Sequence, residues 1–372
     1  MILMNIFNLG IKELRSLYRD PIMIVFILFA FIFLVYAAGK GLSQELYNAP
    51  IAVVDEDRSP LSYRITNAFY DPYFKTPERI DMMDIDPGMD AGKFTFVIDI
   101  PANFQRDVLA GKLPEIQVNV DATQMTQAFI GASYIQNIIT GEINTYISSR
   151  RTETMLPVRL NIRMRFNPTL TSSWFASVME FINMITMLSV ILTGAALIRE
   201  REHGTLEHLL VMPITPIEII LSKVWSMGLV VLVAAGLSLY FVVEGLLEMP
   251  IVGSKSLFLF GVMLHLFSTT SLGILLGTVA RSMPQLGILM ILVMLPLQML
   301  SGGVTPYESM PELVQNIMQV APTTYFVKFA QAILYRGASF DMVWSNLLAN
   351  LIIGIVFFLI ALVLFRKSLS MK

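Results

Sequence analysis

The chain has no cysteine among its 372 residues. That excludes disulfides, thiolate metal sites and cysteine nucleophiles, and it leaves the compartment open. Charge is also scarce. Asp, Glu, Lys and Arg make up 15% of the residues, against about 25% in soluble domains. The 26 basic and 28 acidic side chains nearly cancel, and a net charge of −2 offers no electrostatic footprint for nucleic acid. There are three histidines, His203, His208 and His265. His203 and His208 are five residues apart, not the four that put two ligands on one helix face, and no H-E-x-x-H or G-x-S-x-G motif occurs. A phosphate loop needs G-x-x-x-x-G-K-[ST], so that backbone amides and a lysine cradle the phosphates together. The Gly-Lys pairs at Gly39-Lys40, Gly92-Lys93 and Gly111-Lys112 are followed instead by Gly, Phe and Leu. The chain is therefore not expected to be an enzyme, to hold a metal, or to bind a cofactor.

What is abundant is apolar. Hydrophobic residues are 55% of the chain, with 24 Phe and 24 Met, and the mean hydropathy is +0.65. Apolar runs of about 18 residues or more predict transmembrane helices. Six segments are assigned: Ile22–Ala38, Phe175–Ile198, Ile217–Val243, Leu257–Val279, Leu286–Leu300 and Leu347–Phe365. The fifth is short for a full crossing and ends at Leu300-Ser301-Gly302-Gly303, a break rather than a charged interface. Lys12, Arg15, Arg19, Arg199, Arg201, Lys223, Arg281, Arg366, Lys367 and Lys372 all fall on one side of six spans. By the positive-inside rule that side is cytoplasmic, which places both termini inside. Val35-Tyr36-Ala37 meets the small-residue rule for leader cleavage, but the preceding segment is long and patterned, so the first span is expected to be retained.

The expected fold is thus an α-helical polytopic membrane protein of six spans, with a small α/β periplasmic domain between the first and second. Residues 1–20 read as a cytoplasmic interfacial helix: Lys12, Arg15 and Arg19 cluster on one side, with Phe7, Ile11, Leu14 and Leu17 on the other. Residues 21–39 form the first span. Residues 40–173 hold 16 of the 28 acidic side chains and no membrane-length run. Within them Ile51–Val54, Phe94–Ile100 and Ile116–Val120 read as strands, and Ser59–Tyr70, Pro101–Ala110 and Thr123–Ser148 as helices. Residues 174–372 carry five spans, and 301–345, broken by Pro306, Pro311 and Pro322, is expected to be periplasmic and re-entrant, with helical patches at Met310–Val320 and Phe326–Tyr335.

Polar residues inside spans are costly and usually face protein or water. The second span carries Glu180, Asn183, Thr186, Ser189 and Thr193, the last four within about a third of the helix circumference. Two readings stay open for Asn183, Thr186, Ser189, Thr193 and Gln298: a translocation path or dimer seam, or hydrogen bonding between helices of one subunit. His265 is expected to bond a neighbouring helix. Gly273-x-x-x-Gly277 permits close helix approach.

The most charged interruption is Arg199–Thr215, with Arg199, Glu200, Arg201, Glu202, His203, Glu207 and His208 followed by Leu209-Leu210-Val211-Met212-Pro213. Gly204 can break the helix leaving the membrane, and Thr205 can cap a new short one. The product would be an amphipathic helix on the cytoplasmic face, at 199–216, able to enter a partner's groove.

Glu202-His203-Gly204-Thr205-Leu206-Glu207-His208-Leu209-Leu210, followed by Met212-Pro213-Ile214 and Lys223, resembles the E-x-G-T-x-E-x-L-x-x-x-P segment of ABC-2 type transporter permeases. The resemblance spans the chain. Val54-Asp55-Glu56-Asp57-Arg58-Ser59 and Ile100-Pro101-Ala102-Asn103-Phe104 are similar to motifs of the drug-exporter branch. It implies that Arg199, Glu200, Arg201, Glu202, His203, Gly204, Thr205, Glu207 and Pro213 form a coupling helix that docks on a separate ABC ATPase subunit. ATP and Mg would be bound by that partner and not by this chain. It further implies a second permease subunit, a bacterial inner-membrane location, contact with lipid and export of a small molecule, drug-like or lipidic. A periplasmic adaptor is a further candidate partner. Leu300-Ser301-Gly302-Gly303 echoes the LSGG of the cassette ATPases by letter alone. The alternative is a membrane-tethered periplasmic sensor or scaffold, which has little need of five further spans. An ion-coupled carrier would show deep charges in several spans and an internal repeat.

Overall fold

In a computed structural model the described residues are 2–41, 46–121, 125–148, 172–205, 214–303, 305 and 307–370. Contacts divide the chain into two units, Met1–Leu42 with Met164–Lys372, and Ser43–Arg163.

The first unit opens with α1, Ile2–Tyr18, whose buried residues Gly10, Glu13 and Leu17 recur at helical spacing on one face. Asp20 ends the connection: its carboxylate accepts from the Met23 N–H at 3.2 Å and Pro21 takes the first helical position, which together start α2 at Pro21–Gly41. A π-type stretch at Phe29–Leu34 interrupts α2.

The inserted unit follows as β1 (Ile51–Asp55), α3 (Pro60–Asn67), β2 (Glu78–Arg79), α4 (Ile85–Asp90), β3 (Phe96–Ile100), α5 (Phe104–Leu109), β4 (Gln117–Val120) and α6 (Met125–Ser148). The sheet order is β2-β1-β3-β4, with β1 parallel to β2 and β3, and β4 antiparallel to β3. Strand alternation sorts the core. Phe96, Ile98 and Ile100 pack with Ile51, Val53, Leu61 and Ile135 on one face, while Val97 joins Ala52, Val54 and Phe94 on the other. Ser59 caps α3 through a reciprocal bond with Ser62, which also donates to Asp55 at 2.9 Å. The two-residue β2 and the short α4 lack any periodic signal long enough to be read from sequence.

The first unit resumes with α7 (Ser172–Glu202), α8 (Pro216–Leu246), α9 (Lys255–Val279), α10 (Met283–Met299), α11 (Glu312–Met318), α12 (Pro322–Leu334) and α13 (Phe340–Ser370). Among the described residues five helices are long and apolar enough to cross a membrane: α2, α7, α8, α9 and α13. The expected fifth crossing is α10, a shorter apolar helix of 17 residues with Pro296 inside it. Two short helices, α11 and α12, occupy the expected re-entrant region. The most apolar window of α7 is 83% buried and that of α13 only 28%. So α7 is the central post of the bundle, while α13 leaves a broad apolar surface to lipid.

Helix α7 meets α9 at three glycines. A β-carbon on Gly273 would stand 2.7 Å from the Val190 carbonyl, and one on Gly277 3.0 Å from that of Gly194. Backbone therefore lies against backbone, the geometry small residues permit. This contact lets short hydroxyls bridge the two helices: Ser189 donates to Thr269 at 2.6 Å, and Thr186 lies 2.9 Å from His265 Nε2.

Candidate coupling site

Helix α7 ends on four consecutive charges. Successive residues turn by about 100° around a helix, so Arg199, Glu200, Arg201 and Glu202 point in four directions, and each finds a different partner. Glu200 turns inward. Its Oε1 accepts from Lys12 Nζ of α1 at 2.6 Å, and its Oε2 lies 2.7 Å from Lys223 Nζ of α8. Lys223 also donates to Glu13 of α1 at 2.9 Å. Two ammonium groups and two carboxylates thus balance in one cluster, with the Lys223 side chain 1% exposed. Burial pushes the Glu13 carboxyl above its ordinary range; Lys223 opposes this, and the Glu200 carboxylate adds to it.

The next two residues reach the other side of the bundle. Arg201 donates to the Ala280 carbonyl at 2.6 Å and lies 3.5 Å from that of Thr278, closing the C-terminus of α9 where the helix dipole favours a cation. Glu202 accepts from the Met283 N–H at 2.9 Å, the first residue of α10, whose N-cap Ser282 makes no side-chain cap of its own. Arg199 lies 3.5 Å from Asp20 at the start of α2. Five helices are therefore tied to the last turn of α7: α1 and α8 through Glu200, α9 through Arg201, α10 through Glu202, and α2 through Arg199.

The α1–α8 contact is close enough to act as one body. Trp225 donates to the Ile6 carbonyl at 3.2 Å and stacks on Phe7 at 5.8 Å. A β-carbon on Gly10 would fall 2.1 Å from the Trp225 ring. Asn5 donates to Glu218 at 3.0 Å, and Glu218 with Thr215 forms the box that starts α8. A cavity of about 210 Å³ opens beside the cluster, lined by Lys12, Ser16, Arg199, Glu200, His203 and Thr205 among others.

Of the described residues expected to meet a partner, Glu202, His203 and Thr205 are exposed. Glu200 is 7% exposed and faces the interior, where Lys12 and Lys223 hold it. Arg201 is likewise half-buried and engaged with α9. Gly204 adopts φ +67°, the left-handed turn that ends α7, and the Thr205 hydroxyl donates back to the Glu200 carbonyl at 3.1 Å. Glu207, His208 and Pro213 lie outside the described residues.

The second set divides. Thr186, Ser189 and Thr193 are 2%, 0% and 0% exposed, and Thr193 donates to the Ser189 carbonyl at 2.6 Å. The Thr186 and Ser189 hydroxyls are engaged between α7 and α9, and that of Thr193 within α7. Asn183 and Gln298 are half-buried. Sequence reasoning missed Glu13, the one acidic residue of α1, which lies on its buried face. It also read Lys223 as an orientation signal and as part of the family resemblance, not as a buried ion-pair partner. A lysine well inside an apolar run was the available clue.

Glu202→Ala is expected to uncap α10 at a cost of about 1 kcal/mol. The check is a fall of about 2–4 °C in the apparent melting temperature, with Glu202→Gln, which keeps an acceptor, close to wild type.

Comparison with known proteins supplies the context. The profile of the group described as ABC-2 family transporter protein matches residues 21–363. The chain is 60% identical over 368 residues to the inner membrane transport permease YhhJ of Escherichia coli (strain K12), covering 99% of this chain and 98% of that protein. It is 30% identical over 375 residues to the probable multidrug ABC transporter permease YbhR of the same organism, covering 96% and 97%. The corresponding figures for the probable multidrug ABC transporter permease YbhS are 25% over 367 residues, 96% and 93%.

Proposed function

The chain belongs to the ABC-2 family of transporter proteins, and from that premise we propose that this inner-membrane transport permease is the membrane half of an ATP-driven exporter. A separate ATPase subunit binds and hydrolyses ATP with Mg, and a second permease subunit completes the transport unit. The cargo is a small molecule, drug-like or lipidic, moved out of the cytoplasm; the multidrug names of two relatives support that class. The lysines and arginines at the span ends support a cytoplasmic position for the last turn of α7 and both termini, with the inserted segment periplasmic. Asn183 and Gln298, both half-buried, are the proposed polar points of a translocation path or subunit seam.

The observation that carries this reading is the fan of contacts at the end of α7. The sequence segment resembling the family's coupling motif follows directly on Glu200, Arg201 and Glu202, which hold α1, α8, α9 and α10. Displacing that segment moves four helix ends at once. ATP-driven closure of the ATPase pair then shifts the permease between two states, through contacts that differ between them.

The test is co-purification and substrate-stimulated ATPase activity of the complex reconstituted in lipid. His203→Asp combined with Glu207→Lys is expected to weaken ATPase association by about tenfold or more, the scale of one interface anchor, with the permease's own melting temperature unchanged. Association and export both intact in that variant would sink the docking reading.

A further inference from the structure

The first turn of α12 is buried in the bundle with several polar groups unmatched. Its N-cap is Ala321, which has no side-chain acceptor, and Pro322 takes the first helical position. Thr323 and Thr324 follow, 4% and 2% exposed. Neither hydroxyl has a partner among the described residues, and their backbone N–H groups lie in the first turn of the helix, where no intrahelical acceptor is available. Asn350 of α13 is seated on this turn. Its Nδ2 donates to the Pro322 carbonyl at 3.3 Å and lies 3.1 Å from His265 Nδ1.

Because a carbonyl only accepts, the amide must present its nitrogen to Pro322. The same nitrogen then donates to His265 Nδ1, so the imidazole is the neutral tautomer with its proton on Nε2, donating to Thr186 at 2.9 Å. Thr186 passes its own proton to the Ile182 carbonyl at 3.1 Å. The donor sequence is complete except at one end. Asn350 Oδ1 is 2% exposed by residue and has no donor among the described residues.

Depth makes this expensive. His265 lies ten residues into the 25 of α9, about 15 Å along the helix, near the middle of a hydrocarbon layer about 30 Å thick. Phe326, in the second turn of α12, stacks on the His265 ring at 3.9 Å. The broken helix end therefore sits at mid-membrane depth, where bare N–H and O–H groups are tolerated only against protein or water.

We propose that the start of α12 is a buried hydration site, where ordered water bridges Asn350 Oδ1 to the hydroxyls and amides of Thr323 and Thr324. The chemistry selects water among small ligands. A cation would face helix N–H groups and the positive end of the helix dipole. A halide could accept from those groups but could not donate to Asn350 Oδ1. Water does both, and buried waters typically make about three such bonds. Its consequence is mechanical: water joins α12 to α13, which the His265 bonds already connect to α9 and α7.

Thr323→Val and Thr324→Val in the full chain, reconstituted in nanodiscs, distinguish a wet site from a dry one. Valine keeps the shape and removes the hydroxyl. If water is bound, each substitution lowers the apparent melting temperature by about 3 °C or more, and Thr→Ser at the same position restores most of it. If the site is dry, removing an unpaired hydroxyl leaves the temperature unchanged or raises it, and the proposal fails. Replacing sodium by choline in the buffer is expected to change nothing; a lowered melting temperature would mean a bound cation and would overturn the assignment. Where a variant does not fold, a density map of the unaltered chain decides. A peak within hydrogen-bond reach of Asn350 Oδ1 supports water, and an empty site refutes it.

Discussion

Replacing Lys223 with methionine is expected to cost about 3–5 kcal/mol, the penalty for removing one partner from a buried ionic cluster. Among the described residues it would leave Glu13 and Glu200 with Lys12 as their one nearby cation, and Lys12 is 48% exposed. The measurement is folded yield in detergent and apparent melting temperature, with Lys12→Met as the internal comparison. Lys12 keeps contact with water, so solvent screening limits its share to about 1 kcal/mol or less. Compensation sharpens the test. Adding Glu13→Leu and Glu200→Met to Lys223→Met removes all three buried charges, and such apolar replacements of buried ion groups restore or exceed the original stability. Equal effects of Lys223→Met and Lys12→Met would mean that the cluster is hydrated and not a buried ionic joint. The triple variant also separates stability from function. If the charges transmit the motion of the coupling loop, it should fold well yet uncouple transport from ATP hydrolysis.

Gly273→Leu should be strongly damaging to the α7–α9 contact. A β-carbon there meets the Val190 carbonyl at 2.7 Å and Thr193 Cβ at 3.1 Å. Backbone cannot swing aside as a long side chain can. Helices α7 and α9 must then separate, at a cost of about 3 kcal/mol or more. Separation also stretches the Ser189–Thr269 and Thr186–His265 bonds, which stand at 2.6 and 2.9 Å. The loss is read as a large fall in melting temperature together with faster deuterium exchange in the α7 segment around Val190. Gly236→Leu provides the contrast, because a β-carbon there meets nothing nearer than 3.9 Å, and it is expected to shift the melting temperature little.

Much of the architecture was legible before any coordinates. The run Phe94–Ile100 read as a strand, and the strand is formed by Phe96–Ile100. The amphipathic pattern within residues 1–20 placed α1, which spans Ile2–Tyr18, and uninterrupted apolar length placed α2, α7, α8, α9 and α13. The Gly273-x-x-x-Gly277 pair was visible too, but common spacing made it a weak signal; only the opposed carbonyls of Val190 and Gly194 show that it is a crossing point. The charged run after Ile198 was legible as a site but not as a division of labour. Helical phase within Arg199–Glu202 depends on which neighbour each side chain meets, and those neighbours, Lys12, Lys223, Ala280 and Met283, lie tens to hundreds of residues away.

The sequence by itself determined the solvent of each part of the chain. Long apolar runs must be shielded from water, and the charged, turn-rich segment near 40–173 cannot be placed in lipid, so composition alone separates membrane helices from an inserted α/β unit. It also determined that neither a phosphate loop nor a thiol is available. Tertiary structure decided which polar groups are taken up inside the chain. Glu200 was one charge among seven charged or imidazole side chains in Arg199–His208 until α1 and α8 closed over it. That Thr186 and Ser189 meet partners on α9 was likewise decided only when that helix came within hydrogen-bond distance. The reason is physical: burial of a polar group is set by distance in space, and residues that share a low-dielectric site need no fixed separation along the chain.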